Sequence, residues 1–156
     1  MSLRIYIAYG IAADQVTALR LQALGAVNGL TVYVPPAFTR QDPSGQLDPL
    51  SDQRLQESEI VLGVVTTALS EACRRELDLG KQLGKKTVVM SDPALTAQLA
   101  PQFPGSVLAI DPASPANSEQ AIVQFLKNAD LKRDAAKALL ALGTIALGLM
   151  LFAPQE

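Results

Sequence analysis

A glutamate placed among apolar and small residues is the side chain of this sequence best suited to chemistry. On a predicted helix over residues 68–83, five residues at i, i+4, i+7, i+11 and i+14 form one stripe that should face the rest of the domain: Leu69, Cys73, Glu76, Gly80 and Leu83. Asp78 falls on the opposite face. Burying an unpaired carboxylate is costly, so Glu76 needs a partner, a proton or a ligand cavity in front of it. Spacing alone leaves a structural role open, in which Glu76 pairs with Arg75 or a nearby lysine at the edge of the stripe.

The composition excludes several other kinds of site. The 156 residues include no histidine, which removes Ser-His and Cys-His nucleophile pairs and His-ligated zinc. The single cysteine, Cys73, can form neither an internal disulfide nor a CxxC pair, so a reducing, cytoplasmic setting is expected. With 13 Lys and Arg against 15 Asp and Glu, the chain lacks the basic footprint of a nucleic-acid binder. We expect neither a metal nor a nucleic-acid partner.

Strands and helices alternate along the sequence, and together they must position Glu76. Strands are predicted over residues 3–8, 31–34, 60–65, 87–90 and 107–110, and the run at 60–65 is apolar enough to be buried on both faces. Helices are predicted over residues 15–24, 68–83, 93–102 and 118–126, with one or two turns at 51–58. The first helix should begin at an Asp14 cap, carry Val16 and Leu19 on its apolar stripe and end at Gly25. This order predicts an α/β fold with an open, parallel, doubly wound sheet.

The carboxy-terminal part has a different composition, and we place a boundary between a body over residues 1–128 and a segment over 129–156. Residues 138–153 carry no charge, and as a helix they would span roughly 24 Å against a hydrocarbon core of about 30 Å. Basic residues upstream favour a membrane anchor with the body on the cytoplasmic side. The alternative is a helix packed on protein.

The residues around Glu76 resemble a known family. Ser70 to Leu77 has the form S-x-x-C-x-x-E-L, which is similar to the third helix of Toll/interleukin-1 receptor (TIR) domains of the bacterial type. The strand ending in Tyr9 and Gly10, followed by Asp14, resembles the opening of these domains. The segment TVYVP at residues 31–35, before a long Pro-rich loop, is similar to their second strand and the variable loop after it. The resemblance covers roughly residues 3–126.

For a catalytic TIR domain, this resemblance implies a flavodoxin-like sheet and cleavage of the bond between nicotinamide and ribose. NAD would be the substrate rather than a cofactor, and the product would be ADP-ribose or a cyclised form. Glu76 would be the catalytic residue, while Tyr9, Gly10, Phe38 and Ser70 would contact the substrate. The family also implies self-association and a role in immune or stress signalling. Where NAD-cleaving members often carry an aromatic residue before the glutamate, this sequence has Ala72.

Two alternatives stay open. The steps Glu76-Leu77 and Leu83-Gly84-Lys85 also look like nucleoside 2-deoxyribosyltransferases, which share the flavodoxin-like sheet and a catalytic glutamate acting on an N-glycosidic bond. The other alternative is a non-enzymatic, TIR-like adaptor tethered to a membrane.

Overall fold

Five parallel strands form one sheet through the centre of the protein. The computed structural model describes residues 3–37, 47–111 and 113–131. The strands are β1 (Arg4–Tyr9), β2 (Thr31–Tyr33), β3 (Ile60–Val65), β4 (Lys86–Ser91) and β5 (Val107–Ala109). The helices are α1 (Ala12–Val27), α2 (Pro49–Glu57), α3 (Glu71–Gln82), α4 (Pro93–Leu99) and α5 (Pro115–Leu131).

The strand order is β2-β1-β3-β4-β5, with every neighbouring pair parallel. This is the flavodoxin-like order, so the predicted α/β class, strand number and doubly wound sheet are confirmed. From β1 the chain adds β2 on one side, and it then adds β3, β4 and β5 on the other side, so the direction in which strands are added reverses between β1 and β3. In folds of this kind, ligands bind at the carboxyl ends of the strands on either side of such a point.

The core lies in two layers, one on each face of the sheet, because successive strand residues point to opposite faces. In β1, Ile5, Ile7 and Tyr9 pack in the layer under α1 and α5. Tyr6 and Ala8 pack in the other layer, under α2, α3 and α4. All six residues of β3 are buried, as its continuous apolar run predicted.

Helix α1 differs from its prediction at both ends and in the face that it buries. Its N-cap is Ile11, and Asp14 lies inside the first turn. Gly25 does not end the helix. It lies against β2 instead, where a Cβ on Gly25 would be 2.6 Å from Val32 Cγ2. The buried face is Asp14, Thr17, Ala18, Leu21 and Gly25, whereas Val16 and Leu19 are exposed.

Close packing fixes α3 against the middle of the sheet. Leu77 lies over Gly63 of β3, where a Cβ would approach the Leu77 methyl groups to 3.1 Å. One turn further on, Gly80 lies over Val61, and a Cβ on Gly80 would be 2.7 Å from Val61 Cγ2. The two glycines therefore let the helix backbone lie close to the strand.

Helices α4 and α5 end at other residues than predicted. Helix α5 runs over Pro115–Leu131, longer than residues 118–126, and α4 ends at Leu99, earlier than predicted. Among the described residues, no helix has the length and apolar character needed to cross a bilayer. The proposed anchor at 138–153 lies outside the described residues.

Candidate active site

Helix α3 positions the predicted catalytic residue, and its first turn is fixed by a side-chain cap. Ser70 is the N-cap, and its hydroxyl accepts a hydrogen bond from the Cys73 amide at 3.2 Å. A serine in this place satisfies one of the amides that the first helical turn leaves without a partner. The cap fixes the residue at which α3 begins.

The inward stripe of α3 is confirmed in its centre and fails at its end. Cys73, Glu76 and Gly80 are buried, and the Cys73 thiol lies 3.5 Å from the Ala8 carbonyl, a core position as expected. Asp78 is exposed, also as expected. Leu83 is the C-cap and is 45% exposed, because the chain leaves the helix there to reach the Gly84 turn.

Glu76 is completely buried, with 0% of its surface exposed, and faces the middle of β1. The Tyr6 hydroxyl donates a hydrogen bond to Glu76 Oε2 at 2.7 Å. This partner is in the core and 70 residues away in sequence. The edge position that the structural alternative gave to Glu76 is therefore wrong.

Tyr33 packs against Tyr6. The Tyr6 and Tyr33 rings lie 5.6 Å apart at an interplanar angle of 34°, and the Tyr33 and Ser51 hydroxyls share a hydrogen bond of 2.8 Å. The aromatic contact and the packing of α2 thus restrict the Tyr6 ring. Sequence reasoning missed Tyr6, although the alternation of β1 places it on the opposite face from Ile5 and Ile7.

Glu76 does not lie at the carboxyl edge of the sheet. Ser70 marks that edge on α3, and six helical residues later the backbone has moved about 9 Å towards the other edge. Tyr6 is likewise in the middle of β1, paired with Val61 and Tyr33. The structure therefore places the Glu76 carboxylate against one face of the sheet rather than at its carboxyl edge.

The structure brings Gly10 and Ser70 into contact, whereas the Tyr9 side chain lies on the other face of the sheet. A Cβ on Gly10 would lie 1.7 Å from Ser70 Oγ, so only glycine fits where β1 ends against the α3 cap. The Tyr9 side chain points to the other face of the sheet, where it is buried and its hydroxyl donates to the Pro35 carbonyl at 2.7 Å. Its ring is therefore separated from Glu76 by the sheet.

Asp14, in the first turn of α1, is bonded to the segment that follows β3 at the carboxyl edge of the sheet. Asp14 is 1% exposed and accepts hydrogen bonds from the Thr66 hydroxyl and, at 3.4 Å, from the Thr66 amide. Burial raises the pKa of Asp14 above its ordinary value, an effect that the hydrogen bonds from Thr66 partly oppose. The contact fixes the start of α1 to the chain leaving β3, on either side of the direction change in the sheet.

Two other positions that the sequence singled out are Phe38 and Ala72. Phe38 lies outside the described residues, as does the loop over residues 38–46. Ala72, in the position where an aromatic residue would be expected, is buried. Among the side chains that the structure describes, no group of three or more carboxylates and thiols could hold a metal ion.

Comparison with known proteins gives a slight likeness to solved structures. No protein-family model matches the chain. No curated protein matches it either. Among solved structures, the TIR domains in the structure of the activated Roq1 resistosome directly recognizing the pathogen effector XopQ are 14% identical, over 94% of this chain and 84% of that chain, with a TM-score of 0.46. That score is too low for the likeness to bear on function.

Proposed function

We propose that this protein is a TIR-like domain that cleaves the N-glycosidic bond between nicotinamide and ribose in NAD, with Glu76 as the catalytic residue. The observation that supports the proposal is a buried carboxylate on α3, in the S-x-x-C-x-x-E-L pattern, held by the Tyr6 hydroxyl. Burial of a carboxylate costs free energy, which favours a functional reason for its presence in the core.

The chemistry suits a carboxylate working without histidine. As the bond to nicotinamide breaks, the ribose becomes oxocarbenium-like, and a negative oxygen beside it stabilises the developing positive charge. Nicotinamide leaves from a cationic ring nitrogen as a neutral base, so its departure needs no general acid. Glu76 would stabilise the cation and hold the ribose hydroxyls, or attack the anomeric carbon, and water or an intramolecular acceptor would complete the reaction.

The burial of Glu76 gives the proposal a further requirement. The carboxylate has no exposed surface, so substrate can reach it only if the packing around α3 and β1 changes. Of the aromatic groups that the sequence offered for contact with the substrate, the Tyr9 ring lies across the sheet, which leaves Phe38 or a second copy of the chain. We therefore propose that self-association activates the protein and that it acts in immune or stress signalling.

The proposal is tested by following nicotinamide release from NAD by the full chain over a range of protein concentrations and with a crowding agent. We expect release to rise more steeply than in proportion to protein concentration. Glu76→Gln keeps the volume and an oxygen acceptor for Tyr6, and it should lower the rate by about 100-fold or more. Asp78→Asn is the matched control, since it neutralises an exposed acid of the same helix.

The alternatives have their own readouts in the same experiment. Exchange of the base of a deoxynucleoside, without nicotinamide release, identifies a deoxyribosyltransferase-like enzyme. An assembled protein that is inert in both assays identifies an adaptor. Either outcome refutes the NAD-cleaving proposal.

We also propose that residues 138–153 anchor the domain to the cytoplasmic face of a membrane. The support is their uncharged composition and the basic residues before them. Fractionation of the full chain against a chain ending at Leu131, the last residue of α5, is the test. A full chain that stays in the aqueous fraction without detergent contradicts the anchor.

A further inference from the structure

A cavity of about 340 Å³ opens at the amino-terminal edge of the sheet, opposite to the edge where Gly10 meets Ser70. We name it the amino-edge cavity. It lies where β1 and β2 begin and α2 ends, and its lining includes the apolar residues Ile5 and Val32 and the aromatic Tyr33. Its volume is near the lower end of the range of small-molecule sites, about 300–1,000 Å³.

Three charged side chains line the same cavity, and their contacts are incomplete. Glu57 lies between two arginines, with Arg4 Nη1 at 3.8 Å and Arg54 Nη1 at 4.0 Å from its carboxylate oxygens. Both distances are too long for a hydrogen bond. The two arginine side chains are about half exposed, so their N–H groups are available to a ligand.

One oxygen of the Glu57 carboxylate also lacks a hydrogen-bond donor. Its Oε1 atom is buried and accepts no hydrogen bond within the part of the chain that the structure describes. A buried oxygen without a donor costs free energy, and a ligand N–H or O–H recovers it when the Glu57 side chain, which is 35% exposed, turns this oxygen to the ligand. The wall of the cavity thus offers two guanidinium groups and one carboxylate oxygen beside the aromatic side chain of Tyr33.

We propose that the amino-edge cavity binds a small organic anion that carries a hydrogen-bond donor next to its anionic group. The anionic group is held by Arg4 and Arg54, whose planar N–H forks suit carboxylate and phosphate oxygens. The adjacent donor bonds to Glu57 Oε1, and the apolar body of the ligand packs on Tyr33. The site does not depend on the proposed chemistry of Glu76.

The test uses 2-aminobenzoate, which has a carboxylate, an adjacent amino group and a ring, with benzoate and aniline as matched probes. Binding to the full chain is followed by amide chemical shifts in NMR. We expect saturable shifts at residues around the cavity with 2-aminobenzoate, binding several-fold weaker with benzoate, and none with aniline. Glu57→Ala should remove the preference for 2-aminobenzoate over benzoate, because the acceptor is lost.

Arginine variants decide whether the anion is held as proposed. Arg54→Gln should weaken 2-aminobenzoate at least tenfold, and Arg54→Lys, which keeps the charge without the fork, should weaken it less. Arg75→Gln, on α3 and away from the cavity, should bind as the wild type does. The proposal is overturned if no saturation occurs up to about 10 mM. Equal binding by Arg54→Gln and Arg75→Gln, or equal binding of aniline and 2-aminobenzoate, also overturns it.

Discussion

Removal of the Tyr6 hydroxyl is predicted to destabilise the fold through the buried carboxylate of Glu76. Tyr6→Phe keeps the ring and its contact with Tyr33 but deletes the donor that lies 2.7 Å from Glu76 Oε2. Removing the donor of a buried acceptor costs about 1–3 kcal/mol, and here the acid is completely buried. We therefore expect the free energy of unfolding to fall by about 1–3 kcal/mol. At about 3 °C per kcal/mol for a chain of this size, the midpoint of thermal unfolding should fall by roughly 3–9 °C.

The assay is urea unfolding followed by circular dichroism, with Tyr33→Phe as the control. Tyr33 loses a bond between two hydroxyls, for which about 0.5–1.5 kcal/mol is expected. A double-mutant cycle with Glu76→Met, which removes the oxygen acceptor and keeps an unbranched side chain, isolates the contact between Tyr6 and Glu76, since it subtracts the effects of each change alone. If Tyr6→Phe costs no more than Tyr33→Phe and the cycle shows no coupling, the reasoning about the buried acid is refuted.

Two other changes at the carboxyl edge have definite outcomes. Gly10→Ala should destabilise the protein by about 1–3 kcal/mol in urea unfolding, because its Cβ would overlap Ser70. Ser70→Gly in the same chain should restore most of the lost stability. If it does not, the clash lies elsewhere. Asp14→Asn tests the raised pKa of Asp14: a raised native pKa means that the folded state binds more protons than the unfolded state, so the wild type loses stability as pH rises from about 4 through the native pKa. The variant lacks this dependence, so its stability relative to the wild type should rise with pH over that window in unfolding experiments from pH about 4 to 7. A constant or falling difference contradicts the assignment.

The architecture was predictable because its signals are local. The apolar run of β3 and the breakers between the predicted elements mark strands and turns wherever they occur, and the alternation of strands with helices fixes the parallel class. The centre of the α3 stripe was predictable for the same reason, since 3.6-residue spacing places Cys73, Glu76 and Gly80 on one face. Those three residues are buried, as the spacing predicts.

The errors come from contacts that local sequence does not record. Helix α1 is apolar on nearly all sides, so its pattern could not show that Ala18 and Leu21 are buried while Val16 and Leu19 are exposed. Asp14 has the side chain of a cap, but its partner is Thr66, 52 residues later.

The Tyr6 contact needed two pieces of information. Strand alternation separates Tyr6 from Tyr9, and the position of α3 on the second face decides which of the two tyrosines meets Glu76. Only the first of these can be read from the sequence.

The measurement that tests the central claim most directly is the rate of nicotinamide release from NAD by the full chain and by its Glu76→Gln variant, at a protein concentration where the wild type is assembled. We predict release by the wild type, a fall of about 100-fold or more in Glu76→Gln, and an unchanged rate in Asp78→Asn. Release that persists in Glu76→Gln, or an assembled wild type that releases no nicotinamide, would contradict the account.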